Sequence, residues 1–220
     1  MINKRVLLLC GHYGSGKTNI AVNLAFRLKE KYPTVTIADL DIVNPYFRSK
    51  DSAKELEAAG IRLICSNYAN SNVDIPALPP DLYALTDDRR MRAVIDVGGD
   101  DRGALVLGRI APALLEENDY EMLMVINCYR PLTRDAASTV EVMREIEVAG
   151  GIRFTGLVNN SNLGVETTPE DVLASVPYAN EVSALCRLPL LMTAAEKKVA
   201  AELEGKISNL LPLDLQKKIQ

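Results

Sequence analysis

Short continuous apolar runs alternate with helical patterns from one end of the chain to the other. Val6–Cys10 has no polar break, which is the mark of a strand buried on both faces. Asn19–Lys31 follows, with Ile20, Ala21, Leu24, Ala25 and Leu28 at helical spacing. Thr34–Ala38 reads as a strand closed by an acidic turn, Ala53–Ala59 as a helix capped by Gly60, and Ile61–Cys65 as a third strand. Arg92–Val97, Met122–Asn127, Phe154–Asn159 and Leu188–Met192 read as further strands. Ala104–Glu117 and Arg134–Ala149 are helical, the second closed by Gly150-Gly151. Glu170–Leu173 and Asn180–Cys186 are helical pieces around Pro177, and Ala195–Leu211 reads as the closing helix.

This alternation predicts an α/β fold: a doubly wound, mostly parallel sheet of about seven strands with right-handed crossovers and helices on both faces. The chain shows no internal repeat and no linker, so residues 1–220 are expected to form a single domain. The stretch Ser66–Asp88, rich in Asn, Pro and Asp, is the longest irregular segment, and such loops tend to carry function.

Composition narrows the function. Lys plus Arg 25 against Asp plus Glu 29 gives a net charge of −4, which points away from a nucleic-acid backbone binder. Three Phe, eight Tyr and no Trp supply little for base stacking. The basic cluster Arg89-Arg90-Met91-Arg92 reads as a solvated face. The four cysteines, Cys10, Cys65, Cys128 and Cys186, have neither pairwise nor metal-ligand spacing and read as free thiols of a reducing compartment. The sequence has no apolar run long enough to span a bilayer, and Pro212 interrupts the apolar spacing of the C-terminal stretch. A soluble cytoplasmic protein with no membrane partner is expected.

The chemistry begins at Gly11-His12-Tyr13-Gly14-Ser15-Gly16-Lys17-Thr18, a complete G-x-x-x-x-G-K-[ST] segment between the first strand and the first helix. Gly11, Gly14 and Gly16 let a phosphate chain approach the main chain, where successive N–H groups, Ser15's included, make an anion nest. The positive end of the helix dipole completes it. Lys17 supplies a point charge to the β- and γ-phosphates, and the Thr18 hydroxyl is a candidate Mg²⁺ ligand.

A phosphate loop of this kind works with carboxylates, and two clusters stand at predicted strand ends: Asp39-Leu40-Asp41 and Asp96-Val97-Gly98-Gly99-Asp100-Asp101. With these motifs the chain resembles the MinD/ParA/nitrogenase iron protein/CobQ–CobB group of SIMIBI-class P-loop ATPases. It is most similar to uncharacterised MinD-like ATP-binding proteins of Gram-positive bacteria, which carry GHYGSGKT, DLDIVNPYFR, IDVGGDD, INCYRP and NNSNLG. The resemblance covers nearly the whole chain.

It implies that Asp39 and Asp41 are the Asp-x-Asp of a first switch. It implies that Asp96 is the Walker B carboxylate near Mg²⁺, and that Asp41 or Asp100 orients the hydrolytic water. It also implies that Asn160 reads the adenine edge. MinD and ParA carry a lysine that reaches across a nucleotide-sandwich homodimer; His12 stands there instead, with Arg48 as the other candidate substitute. Gly103 occupies the place of the iron protein's cluster cysteine, so no iron–sulfur cluster is expected.

The base loop Asn159-Asn160-Ser161-Asn162 lacks the N-K-x-D segment that reads guanine, which favours ATP. The resulting expectation is a Mg²⁺-dependent ATP-binding protein with slow ATP hydrolysis, acting as a switch for an unknown protein partner. The Asn44–Arg48 segment, with its two aromatics, is expected to touch nucleotide, a dimer mate or that partner. The alternative is a metabolic enzyme similar to dethiobiotin synthetase or the CobB amide synthases. There Arg48, Arg102 and Arg130 would bind a substrate carboxylate that receives the γ-phosphate.

Overall fold

The computed structural model describes residues 3–40, 52–65, 85, 88–99 and 101–215. Eight strands form one sheet in the order β3-β2-β4-β1-β5-β6-β7-β8. They are β1 Val6–Cys10, β2 Val35–Leu40, β3 Arg62–Cys65, β4 Arg92–Val97, β5 Tyr120–Ile126, β6 Gly156–Asn159, β7 Leu190–Glu196 and β8 Leu210–Leu213. Every recorded pairing is parallel. The helices are α1 Lys17–Lys29, α2 Ala53–Ala58, α3 Asp101–Glu117, α4 Ala136–Gly150, α5 Pro169–Ala174, α6 Val176–Cys186 and α7 Lys197–Leu203.

The central strands are buried on both faces, as their unbroken apolar runs require. In β1 the alternation is visible residue by residue. Val6, Leu8 and Cys10 join the core with Val106, Leu107 and Ile110 of α3, Met143 of α4 and Val182 of α6. Leu7 and Leu9 join the opposite core with Ile20, Ala21 and Leu24 of α1 and Leu56 of α2. Helices therefore cover both faces, and every loop leaving the carboxyl ends of β1, β4, β5 and β6 emerges along one edge.

Two expectations are corrected. The expected closing helix Ala195–Leu211 is instead the end of β7, the short α7 and the edge strand β8, which raises the strand count to eight. Gly205, at φ 76°, follows α7, a backbone setting that glycine accepts without strain. Leu211 and Leu213 are buried while Leu210 and Pro212 are half-buried, a period of two that mimicked helical spacing over so short a run. Pro212 lacks a donor and is tolerated because β8 is an edge. The second correction concerns Asp39, expected in a turn after its strand. It lies inside β2, buried, because β2 continues to Leu40.

Among the described residues, no helix is long and apolar enough to cross a membrane.

Candidate functional site

The loop Gly11–Gly16 leaves β1 between its neighbours β4 and β5 and enters α1 through Gly16. Gly16 is the N-cap of α1 in the left-handed region, φ 86° and ψ 23°. A side chain is excluded there twice. The conformation disfavours L-residues, and a Cβ would lie 2.3 Å from Asn160 Nδ2. Ser15 N closes a turn onto His12 O at 3.1 Å. Thirteen residues of α1 then direct the positive end of a helix dipole at this loop.

The carbonyls of the loop are held from outside. Arg130 Nε donates to Gly14 O at 2.9 Å, and Asn160 Nδ2 donates to Ser15 O at 2.7 Å. A carbonyl fixed outward leaves the neighbouring N–H free to turn inward, which is what an anion nest needs. The β4–α3 turn closes the third side: a Cβ on Gly99 would meet Gly11 O at 2.0 Å, so only glycine allows this approach.

Lys17 and Thr18 are both buried, at 4% and 5% exposure. Thr18 Oγ1 donates to Asp96 Oδ2 at 2.6 Å, joining the first turn of α1 to the end of β4. Asp39 of β2 is the register partner of Asp96, so two buried carboxylates stand side by side at the sheet edge on the α1 face. An all-oxygen set of one hydroxyl and two carboxylates suits a hard divalent cation that keeps several waters. Ser15 Oγ is buried and, among the described residues, has no hydrogen-bond partner, which also fits a loop shaped around a ligand. Beneath the loop, burial pushes the Cys10 thiol up to about 12, with Lys17 opposing and Asp96 adding to the shift. Cys10 is therefore a neutral floor to the site.

Around Asn160 the asparagines hold one another. Asn159 Nδ2 donates to Ser175 Oγ, and Asn159 Oδ1 accepts from Ser161 N and Oγ. Asn162 Nδ2 donates to Asn160 O, and Asn127 Nδ2 donates to Asn162 O. Asn127 Oδ1 accepts from Tyr129 N. Of the expected base-reading amides, Asn160 keeps its Oδ1 while its Nδ2 is committed to Ser15.

The structure thus brings Gly11, Gly14, Ser15, Gly16, Lys17, Thr18, Asp39, Asp96 and Asn160 to one edge. Asp41, Asp100, Arg48 and the rest of Asn44–Arg48 lie outside the described residues, as does the side chain of Arg102 and most of Ser66–Asp88. His12 is half-buried, with its Nδ1 3.0 Å from Tyr13 O. By sequence alone Arg130 is a candidate only for a carboxylate pocket. Its grip on Gly14 has no local motif, since the two residues are 116 positions apart.

No family model and no curated protein matches the chain. Solved structures do. The cell division protein FtsY of Thermotoga maritima superposes with a TM-score of 0.62 at 18% identity, over 89% of this chain and 63% of that one. Chloroplast FtsY of Physcomitrella patens gives 0.55 at 19%, over 87% and 58%. The signal recognition particle receptor FtsY of Elizabethkingia anophelis, solved in complex with GDP, gives 0.52 at 15%, over 88% and 58%. The fold is that of these FtsY structures, a parallel sheet with helices on both faces. The chain spans about six tenths of the length of these FtsY structures. The sheet edge at the carboxyl end of β1 carries the chain's G-x-x-x-x-G-K-[ST] segment.

Proposed function

We propose that the protein binds ATP with Mg²⁺ at the P-loop and hydrolyses it slowly, as a nucleotide-dependent switch of the MinD/ParA kind. The observation that carries this reading is the Thr18–Asp96 hydrogen bond at the mouth of a phosphate loop whose carbonyls are pinned outward. Bound Mg²⁺ neutralises charge on the phosphate oxygens, and Thr18, Asp96 and Asp39 are the residues that would hold it. Main-chain N–H groups of Gly14–Thr18 take the phosphates, and Lys17 places its ammonium at the β- and γ-phosphates. Asp41 or Asp100 orients the attacking water. Cys10 stays protonated below the loop and takes no part.

Support for ATP over GTP comes from the base loop. It offers amides and hydroxyls and no carboxylate to accept from guanine. With Nδ2 spent on Ser15 O, the Asn160 amide cannot flip, so its Oδ1 is fixed as an acceptor. An acceptor suits the amino group of adenine and repels the carbonyl oxygen of guanine. One FtsY of the same fold carries GDP, so both nucleotides belong in the test. Pairing with a second copy is part of the same reading, supported by the exposed side chain of Tyr13 in the loop itself.

Phosphate release from the full chain with MgATP and with MgGTP tests the proposal. Slow turnover with a preference for ATP is expected, abolished by Lys17→Ala and by Asp96→Asn. Release that needs an added carboxylate metabolite would move the protein to the carboxylate-activating class. Turnover at the wild-type rate in these two variants would refute the site.

A further inference from the structure

We propose that Arg130 is a catalytic residue of this site: its guanidinium reaches the terminal phosphate of the bound triphosphate from within the same chain. The inference rests on the ATPase reading above and assigns a phosphate-directed cation other than His12 and Arg48.

Arg130 is held in place twice over. Its side chain lies along the phosphate loop, so that a Cβ on Gly14 would sit 3.2 Å from Nε and 3.5 Å from Cδ. Its own loop is braced at every step. Arg130 N donates to Asn127 O at 3.2 Å and Thr133 N donates to Arg130 O at 3.1 Å. Cys128 N donates to Ser161 Oγ at 3.1 Å, and the Tyr129 hydroxyl donates to Asp171 O at 2.9 Å. Pro131 fixes the next φ.

The neighbouring Ser15 carbonyl is served by the neutral amide of Asn160. Clamping Gly14 O therefore requires no charge and no more than one N–H. Arg130 brings a full charge and four further N–H groups, and among the described residues its terminal nitrogens have no hydrogen bond and no ion pair. Lys17 is a second cation at this loop. Two cations at one anion nest are stable together when an anion lies between them, and a planar fork matches phosphate oxygens.

In the reaction the water oxygen bonds to the γ-phosphorus. The bond from that phosphorus to the β–γ bridging oxygen breaks, and its electron pair stays on the diphosphate. Both protons of the water leave with the released phosphate, as dihydrogen phosphate, one of them passing to solvent at neutral pH. Arg130 acts on the charge that grows on these oxygens, without making or breaking a bond.

The test compares wild type with Arg130→Gln, which keeps a neutral donor for Gly14 O, and Arg130→Lys, which keeps the charge without the fork. Calorimetry measures affinity for ADP and for a non-hydrolysable ATP analogue, and phosphate release measures kcat. In Arg130→Gln we expect kcat to fall about 100-fold and analogue affinity about tenfold, with ADP affinity within about threefold of wild type. Arg130→Lys should fall between the two. An unchanged kcat and analogue-to-ADP ratio in both variants would overturn the proposal. So would a parallel loss of ADP affinity, which is what a mere loop clamp gives. If wild type itself binds neither nucleotide, it is the ATPase reading that has failed.

Discussion

Asn160 and Ser15, 145 residues apart, are joined by a 2.7 Å hydrogen bond that ties the end of β6 to the loop between β1 and α1. The bond is buried, so removing the donor leaves a carbonyl without a partner. We expect Asn160→Ala to cost about 1–3 kcal/mol in stability. Nucleotide affinity should fall as well, because the Ser15 peptide is then free to rotate. Chemical denaturation and nucleotide titration of the same variant measure both effects.

Gly16 combines a left-handed backbone with a close approach to Asn160. Gly16→Ala places a methyl 2.3 Å from the Asn160 amide at φ 86°, whereas Gly151→Ala, at φ 65°, has nothing within 4 Å. The second substitution should cost about 1 kcal/mol for the left-handed backbone alone. The first should cost clearly more and abolish nucleotide binding. Paired thermal melts of the two variants make the comparison.

A buried ion pair anchors the opposite edge of the sheet. Arg5 and Glu117 side chains are 3% and 10% exposed, and Arg5 also donates to the carbonyls of Leu85, Asp88 and Met91. Arg5→Met leaves a buried carboxylate and several carbonyls unserved. We expect a loss of about 3–5 kcal/mol, measured by urea denaturation, with the double variant Arg5→Met/Glu117→Leu recovering part of it.

Acid weakens two helix starts. Hydrogen bonds from Ser138, main chain first, hold the Asp135 carboxyl below its ordinary value of 3.8, and those from Thr168 do the same for Asp171. A carboxyl whose folded value is depressed stabilises fully above 3.8 and loses that contribution as pH falls through the lower folded value. Asp135→Asn and Asp171→Asn should therefore lower the melting temperature at pH 7, and the gap to wild type should close in acid. Melts across that range check the sign.

Strand–helix alternation and the glycine-rich turn between β1 and α1 were legible in the sequence because each rests on local pattern: Val6–Cys10 is an unbroken apolar run, and Gly11–Thr18 is contiguous. The edge strand β8 was not, since Leu210 and Leu211 fit helical spacing from Val199 and Leu203 as well as they fit a strand. Pro212 was the available signal. The Thr18–Asp96 pair was foreseen as two separate partners of one cation, while its direct hydrogen bond depends on β4 lying beside β1. The Arg130–Gly14 and Asn160–Ser15 contacts depend on β5 and β6 lying on the other side of β1. No spacing within the chain encodes them.

Titrating the full chain with MgATP and with MgGTP in a calorimeter, beside Lys17→Ala, is the most direct test of the phosphate loop. The account predicts saturable binding of one nucleotide per chain, tighter for ATP, that disappears in the variant while its melting curve stays cooperative. Absence of binding in wild type, or binding that Lys17→Ala leaves unchanged, would contradict it.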